Sequence, residues 1–74
     1  MSPGQIISRD PKVMSGELVF AGTRVPVETL VQHLSAGDSL DEFLDDFPSV
    51  TREQAVAFLD MALKATEADH ARAA

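Results

Sequence analysis

Two histidines, one tight group of carboxylates and one arginine-bearing turn are the residues of this chain whose types and spacing could do chemistry. His33 and His70 are the only histidines. They lack the close spacing that lets two imidazoles share a metal ion, so a surface role is expected for both. Asp41, Glu42, Asp45 and Asp46 crowd one short segment, and their oxygens would suit a divalent cation in principle. On consecutive turns of an amphipathic helix such residues are instead a solvated acidic face. The sequence holds no glycine-rich phosphate loop and no Ser/His nucleophile arrangement. No catalytic residues, no metal site and no cofactor are therefore expected.

The most distinctive string is Gly22-Thr23-Arg24-Val25-Pro26-Val27. Glycine supplies a positive φ, threonine bonds back to the turn, arginine offers a planar fork of donors, and proline launches a helix. Two readings follow. In one, the string is a strand-to-helix turn whose Arg24 pairs with a carboxylate of the second helix. In the other, Arg24 engages a partner's acidic site or a phosphate.

These residues need elements to position them. Residues 1–27 are punctuated by Pro3, Gly4, Pro11, Gly16, Gly22 and Pro26, and carry the short apolar runs Ile6-Ile7 and Leu18-Val19-Phe20. Breaker-bounded runs of branched and aromatic residues read as two brief strands, joined as a hairpin by a wide loop through Asp10-Pro11. A two-stranded ribbon is marginal in water, so it must lie on the helices or pair with a second copy.

Pro26 at the first helical position opens a helix to about Ala36, with Glu28 in its first turn and Gly37 as a left-handed cap. Val27, Leu30, Val31 and Leu34 are its expected core face. Ser39 and Glu42 form a capping box for a second, short helix on which Leu40, Phe43, Leu44 and Phe47 share one side, and Pro48 stops it. Thr51 and Gln54 repeat the capping pattern and open the longest helix, expected to reach about Glu67. Its apolar positions Ala55, Val56, Phe58, Leu59, Met61, Ala62, Leu63 and Ala65 cover more than half of its circumference. A surface helix needs an apolar stripe only somewhat over 100° wide, so this one should also contact the arm, a symmetry mate or another protein.

Composition narrows the function classes. Seventy-four residues suffice for one domain with a thin margin of stability, and the absence of cysteine removes disulfides and thiolate metal sites. Twelve acidic against six basic residues give a net charge of −6, which argues against a generic binder of nucleic acid or anionic membrane. Residues 1–27 nevertheless balance at +1, through Arg9, Lys12 and Arg24 against Asp10 and Glu17, which leaves −7 for residues 28–74. Any polyanion contact must use the first third of the chain. The apolar runs are too short for a membrane span, and Met-Ser-Pro-Gly-Gln is not a secretion signal, so the cytoplasm is expected.

Taken together, Ile6 to Pro11, Gly22 to Val27, Leu34 with Gly37 to Leu40, Asp46-Phe47-Pro48 and Thr51-Arg52-Glu53-Gln54 resemble the domain-of-unknown-function family numbered 433, over about residues 6–65. Where that family usually has a glycine-lysine-proline step before its second strand, this chain has Gly16-Glu17-Leu18. The resemblance implies a homeodomain-like helical fold with a β arm, and VapB-type antitoxins encoded beside PIN-like nucleases.

The resulting expectation is a mainly α single domain over 1–74, a three-helix homeodomain-like helix-turn-helix bundle. It would have a β-hairpin arm (6–25), a helical core (26–67) and a flexible tail (68–74). Function is expected to be that of an antitoxin-like homodimer, joined through the arm and long helix, that neutralises a PIN-like ribonuclease and acts on its own operon. A stand-alone DNA-binding regulator and a structural adaptor subunit are the alternatives. Thr23, Arg24, Val56, Met61 and Arg72 are the expected partner-binding residues. Arg9, Lys12, Arg24, Arg52 and Gln54 are the candidates for operator DNA, with the arm favoured because Glu53 and Asp60 oppose Arg52 and Gln54 on the reading helix.

Overall fold

A computed structural model describes residues 2–9 and 16–73, with side chains through Asp69. In chain order it contains α1 (Pro3–Ile6), β1 (Ile7–Arg9), β2 (Leu18–Phe20), α2 (Val27–Ser35), α3 (Leu40–Asp46) and α4 (Arg52–Ala73). The fold is mainly helical with a two-stranded antiparallel ribbon near the N-terminus. Four helices stand where three were expected.

The extra helix, α1, is a single turn. Pro3 occupies a first-turn position, and Gln5 Oε1 reaches back to accept from the Ser2 backbone N–H at 2.9 Å. So short a helix does not persist alone, and α1 is held by packing on α4. It also takes Ile6 out of the expected strand and buries it. The ribbon begins one residue later, with Ile7 opposite Phe20, Ser8 opposite Val19 and Arg9 opposite Leu18. The expected connection through Asp10-Pro11, and Lys12 with it, lies outside the described residues.

Between β2 and α2 the chain turns sharply. Thr23 N–H donates to Phe20 O at 3.0 Å, with Gly22 at φ +77, the left-handed value that the third residue of a type II turn requires. Pro26 is the N-cap of α2 and not its first helical residue, because it is held extended by an antiparallel bridge to Val19. At the other end Gly37, at φ +95, completes a Schellman closure. Its N–H donates to Leu34 O at 3.1 Å and the Asp38 N–H to His33 O at 3.0 Å.

α3 starts with the full capping box. Ser39 Oγ accepts from the Glu42 N–H at 3.1 Å, and Glu42 Oε1 accepts from the Ser39 N–H at 3.1 Å. α4 runs through Ala73, past the Glu67 expected from sequence, so residues assigned to a flexible tail are helical. Alanines 68, 71 and 73 are strong helix formers and no glycine or proline interrupts them.

Phe20, Leu30 and Phe43 are fully buried and, with Val27, Val50 and Ala55, form the core. Phe20 joins the ribbon to the helices: its ring lies 6.2 Å from Phe43 and 5.7 Å, edge-on, from Phe58. The methyl side chain at Ala55 brings α4 against this cluster. Val31, expected inside, is 47% exposed, since the inward direction of α2 is centred on Leu30 and Leu34 and Val31 falls at its margin.

Glu42 gives the fold a specific pH dependence. Its hydrogen bonds from Ser39, backbone first and side chain second, hold its carboxyl below the usual glutamate range, with a smaller contribution from His33. A carboxylate with a depressed folded pKa stabilises fully above its unfolded value of about 4.3, and the contribution is lost as pH falls through the folded value. Thermal melts should therefore show Glu42→Ala less stable than wild type at neutral pH, with the gap closing under acid. A gap that stays constant from neutral pH to pH 3 would contradict this role.

Candidate interaction surface

The start of α4 is fixed by Thr51 and Gln54, whose spacing alone predicts a single cap. Thr51 Oγ1 accepts from the Gln54 N–H at 3.1 Å, which is half of a capping box. The Gln54 side chain does not return to Thr51. It turns inward, is buried, and its Nε2 donates to Ala21 O at 2.9 Å and Ile6 O at 3.1 Å, with Gln5 O at 3.5 Å. Ile6 immediately precedes β1 and Ala21 immediately follows β2, and the two are themselves joined by Ala21 N–H to Ile6 O at 3.0 Å. One amide thus ties α4 to the end of the ribbon and to α1.

That geometry removes Gln54 from the nucleic-acid candidates, because its donors are committed inside the protein. Arg52, the other candidate on α4, is exposed but ion-paired with Asp41 of α3. Arg24 was expected to take a carboxylate of this short helix, and Arg52 uses one of the four, Asp41. Arg24 is exposed, and among the described residues no carboxylate pairs with it. Thr23 beside it is structural: its Oγ1 donates to Phe20 O at 2.8 Å and accepts from the Val25 N–H at 3.0 Å. Arg9 is exposed at the opposite end of β1 from this turn and donates to Gly16 O at 3.0 Å. The ribbon therefore separates Arg9 and Arg24 and does not gather them into one patch. Lys12 and the Arg72 side chain lie outside the described residues.

The apolar candidates on α4 divide between two sides. Met61 faces α1 and lines, with Pro3, Ile6, Ala57, Asp60 and Lys64, an open groove of about 330 Å³. Val56 is 48% exposed and Leu63 58% exposed, and no described element covers them. Phe58 and Leu59 pack against the core. From Ala62 to Asp69 every residue of α4 is exposed.

His33 departs from its expected surface role. Its side chain is 24% exposed and lies edge-on to Phe43 at 5.6 Å and Phe47 at 5.5 Å. Nδ1 is buried 3.1 Å from Asp38 Oδ2, close in distance but off line for a hydrogen bond. The available signal was that His33 follows Leu30 at i+3, on the buried side of α2. The α3 carboxylates are exposed, as expected, and among the described residues no three His, Asp or Glu side chains converge. None of the described helices is long and apolar enough to cross a membrane.

The class defined by these features is a small, mainly helical domain with an N-terminal β ribbon and an uncovered side on its longest helix. The sequence profile described as "Protein of unknown function (DUF433)" matches residues 7–62, well over half of the chain, and the chain belongs to that family. It is also similar to "Uncharacterized protein y4eO" of Sinorhizobium fredii (strain NBRC 101917 / NGR234), 34% identical over 50 residues. The aligned part covers 68% of this chain and 23% of that protein, so the chain spans about a quarter of its relative's length. No solved structure matches the chain.

Gln54→Leu should lower stability by about 2 kcal/mol by stranding Ala21 O, a fall in Tm of roughly 10 °C for a domain of this size. Gln54→Glu, which sets a carboxylate against carbonyl oxygens, should cost more at neutral pH and recover part of the loss when protonated. Calorimetric melts at two pH values check both substitutions. Wild-type Tm in each would mean that the amide does not hold the ribbon.

Proposed function

We propose that this chain is a non-catalytic, antitoxin-like protein-binding module that neutralises a PIN-like ribonuclease and acts as a dimer on its own operon in the cytoplasm. In this reading α2, α3 and α4 are the three helices of a homeodomain-like unit, with α3 and α4 as its helix-turn-helix and α1 with the ribbon as its arm.

The observation that carries the reading is the uncovered apolar side of α4, at Val56 and Leu63. A domain this small gains little from its own core, and aliphatic side chains aligned on one face of an exposed helix mark a contact site for another protein. Arg24 supports the same reading. It projects from a turn fastened by Thr23, and an exposed guanidinium suits the acidic cluster of a PIN-like site. Operon binding rests on the arm, where Arg9 and Arg24 are the exposed described arginines, since Arg52 is ion-paired with Asp41 and Gln54 is buried.

Co-expression with a PIN-like nuclease from the same genome tests the proposal. The two chains should co-purify and growth should be restored. Arg24→Ala and Leu63→Glu should each weaken the complex by about tenfold or more. A nuclease that stays free and toxic beside the wild-type chain would sink it.

A further inference from the structure

The exposed side of α4 is patterned in two parallel rows. Val56, Leu59, Leu63 and Thr66 follow the alternating three-and-four spacing of a coiled-coil seam. Val56 and Leu63 are the half-exposed residues of the seam, Leu59 lies deeper, and Thr66 folds its hydroxyl onto Ala62 O at 3.0 Å. Along one flank run Glu53, Asp60 and Glu67, each seven residues from the next and all exposed. The other flank carries Ala55, which is in the core, Ala62, a bare methyl, and the exposed Asp69. Of the nearby cations, Arg52 is paired with Asp41 and Lys64 bonds Asp60 at 3.0 Å from the side away from the seam, so among the described residues Glu53 and Glu67 keep uncompensated charge.

Flanking charges of this kind decide which helix a seam accepts. A second copy laid antiparallel would set Glu53 of one copy against Glu67 of the other and Asp60 against Asp60. A second copy laid parallel would set the carboxylate row against the alanine flank, which offers it no counter-charge. We infer that the α4 seam takes an amphipathic helix from a different protein, one with aliphatic residues along its centre and lysine or arginine on the flank that meets Glu53, Asp60 and Glu67. This rests on α4 being a protein-binding surface and adds the chemistry its partner must present. Any homodimer then forms elsewhere.

The probes are two synthetic three-heptad peptides with leucine along the seam, one with lysine and one with glutamate at the flanking positions. They are titrated against the full chain by fluorescence anisotropy, with sedimentation of the chain alone. The lysine peptide should bind about tenfold or more tightly than the glutamate peptide, and should weaken as salt is raised. Leu63→Glu should abolish this binding, although it makes the chain more acidic and would strengthen a nonspecific attraction. Glu53→Lys/Glu67→Lys should reverse the preference between the peptides. Circular dichroism confirms that each variant is folded.

Equal binding of both peptides, binding of neither, or a dimer of the chain alone that Leu63→Glu dissociates would overturn the inference. A nuclease complex broken by Leu63→Glu and indifferent to Glu53→Lys/Glu67→Lys would also overturn it, leaving the protein-binding reading intact. Charge-selective peptide binding without any nuclease complex would do the reverse.

Discussion

The side-chain amide of Gln54 is the contact on which the arrangement of this domain depends. A ribbon of three residue pairs and a helix of one turn have little stability of their own. Here both are secured by donors from the first turn of α4 to the carbonyls of Ile6 and Ala21. The same contact sets the rotation of α4 about its axis. With Gln54 and Ala55 turned inward, each further residue advances by about 100°, which brings Phe58 and Leu59 to the core and leaves Val56 and Leu63 outside. The uncovered side of the helix is thus a consequence of how its first turn is anchored.

That anchoring redistributes the chemical candidates. In a helix-turn-helix reader the start of the second helix presents side chains to bases. In this chain that position is occupied by an inward amide and by an arginine bound to Asp41. The basic residues that remain are spread along the ribbon, with Arg9 and Arg24 at opposite ends, while the helical part is strongly acidic. Such a surface repels polyanions over most of its area.

The α2–α3 joint shows the same economy of polar groups. His33 lies edge-on against the touching rings of Phe43 and Phe47, with its Nδ1 beside Asp38. Glu42, close enough to His33 to be influenced by it, closes the cap of α3. The helical half of the domain is therefore knitted by short-range caps and aromatic edges, and the N-terminal half by two long-range contacts, the Gln54 amide and the Phe20 ring.

Local rules made much of this fold legible in the sequence. β2, the Gly37 closure of α2, the Ser39–Glu42 box and the apolar face of α3 are determined by turn chemistry and helical period within a few residues, and the structure places them accordingly. The excess apolar width of α4 was legible as well, because it is a count around a helix. What the tertiary structure alone decided depends on contacts distant in sequence. Gln54 reads as a cap by its spacing from Thr51, and only the approach of Ala21 and Ile6, 33 and 48 residues away, turns it inward. α1 exists because α4 supports it, Arg52 finds Asp41 because α4 begins beside α3, and Val31 is outside because the core is centred on Leu30. Periodicity names the residues that share a face, but packing determines which face is covered.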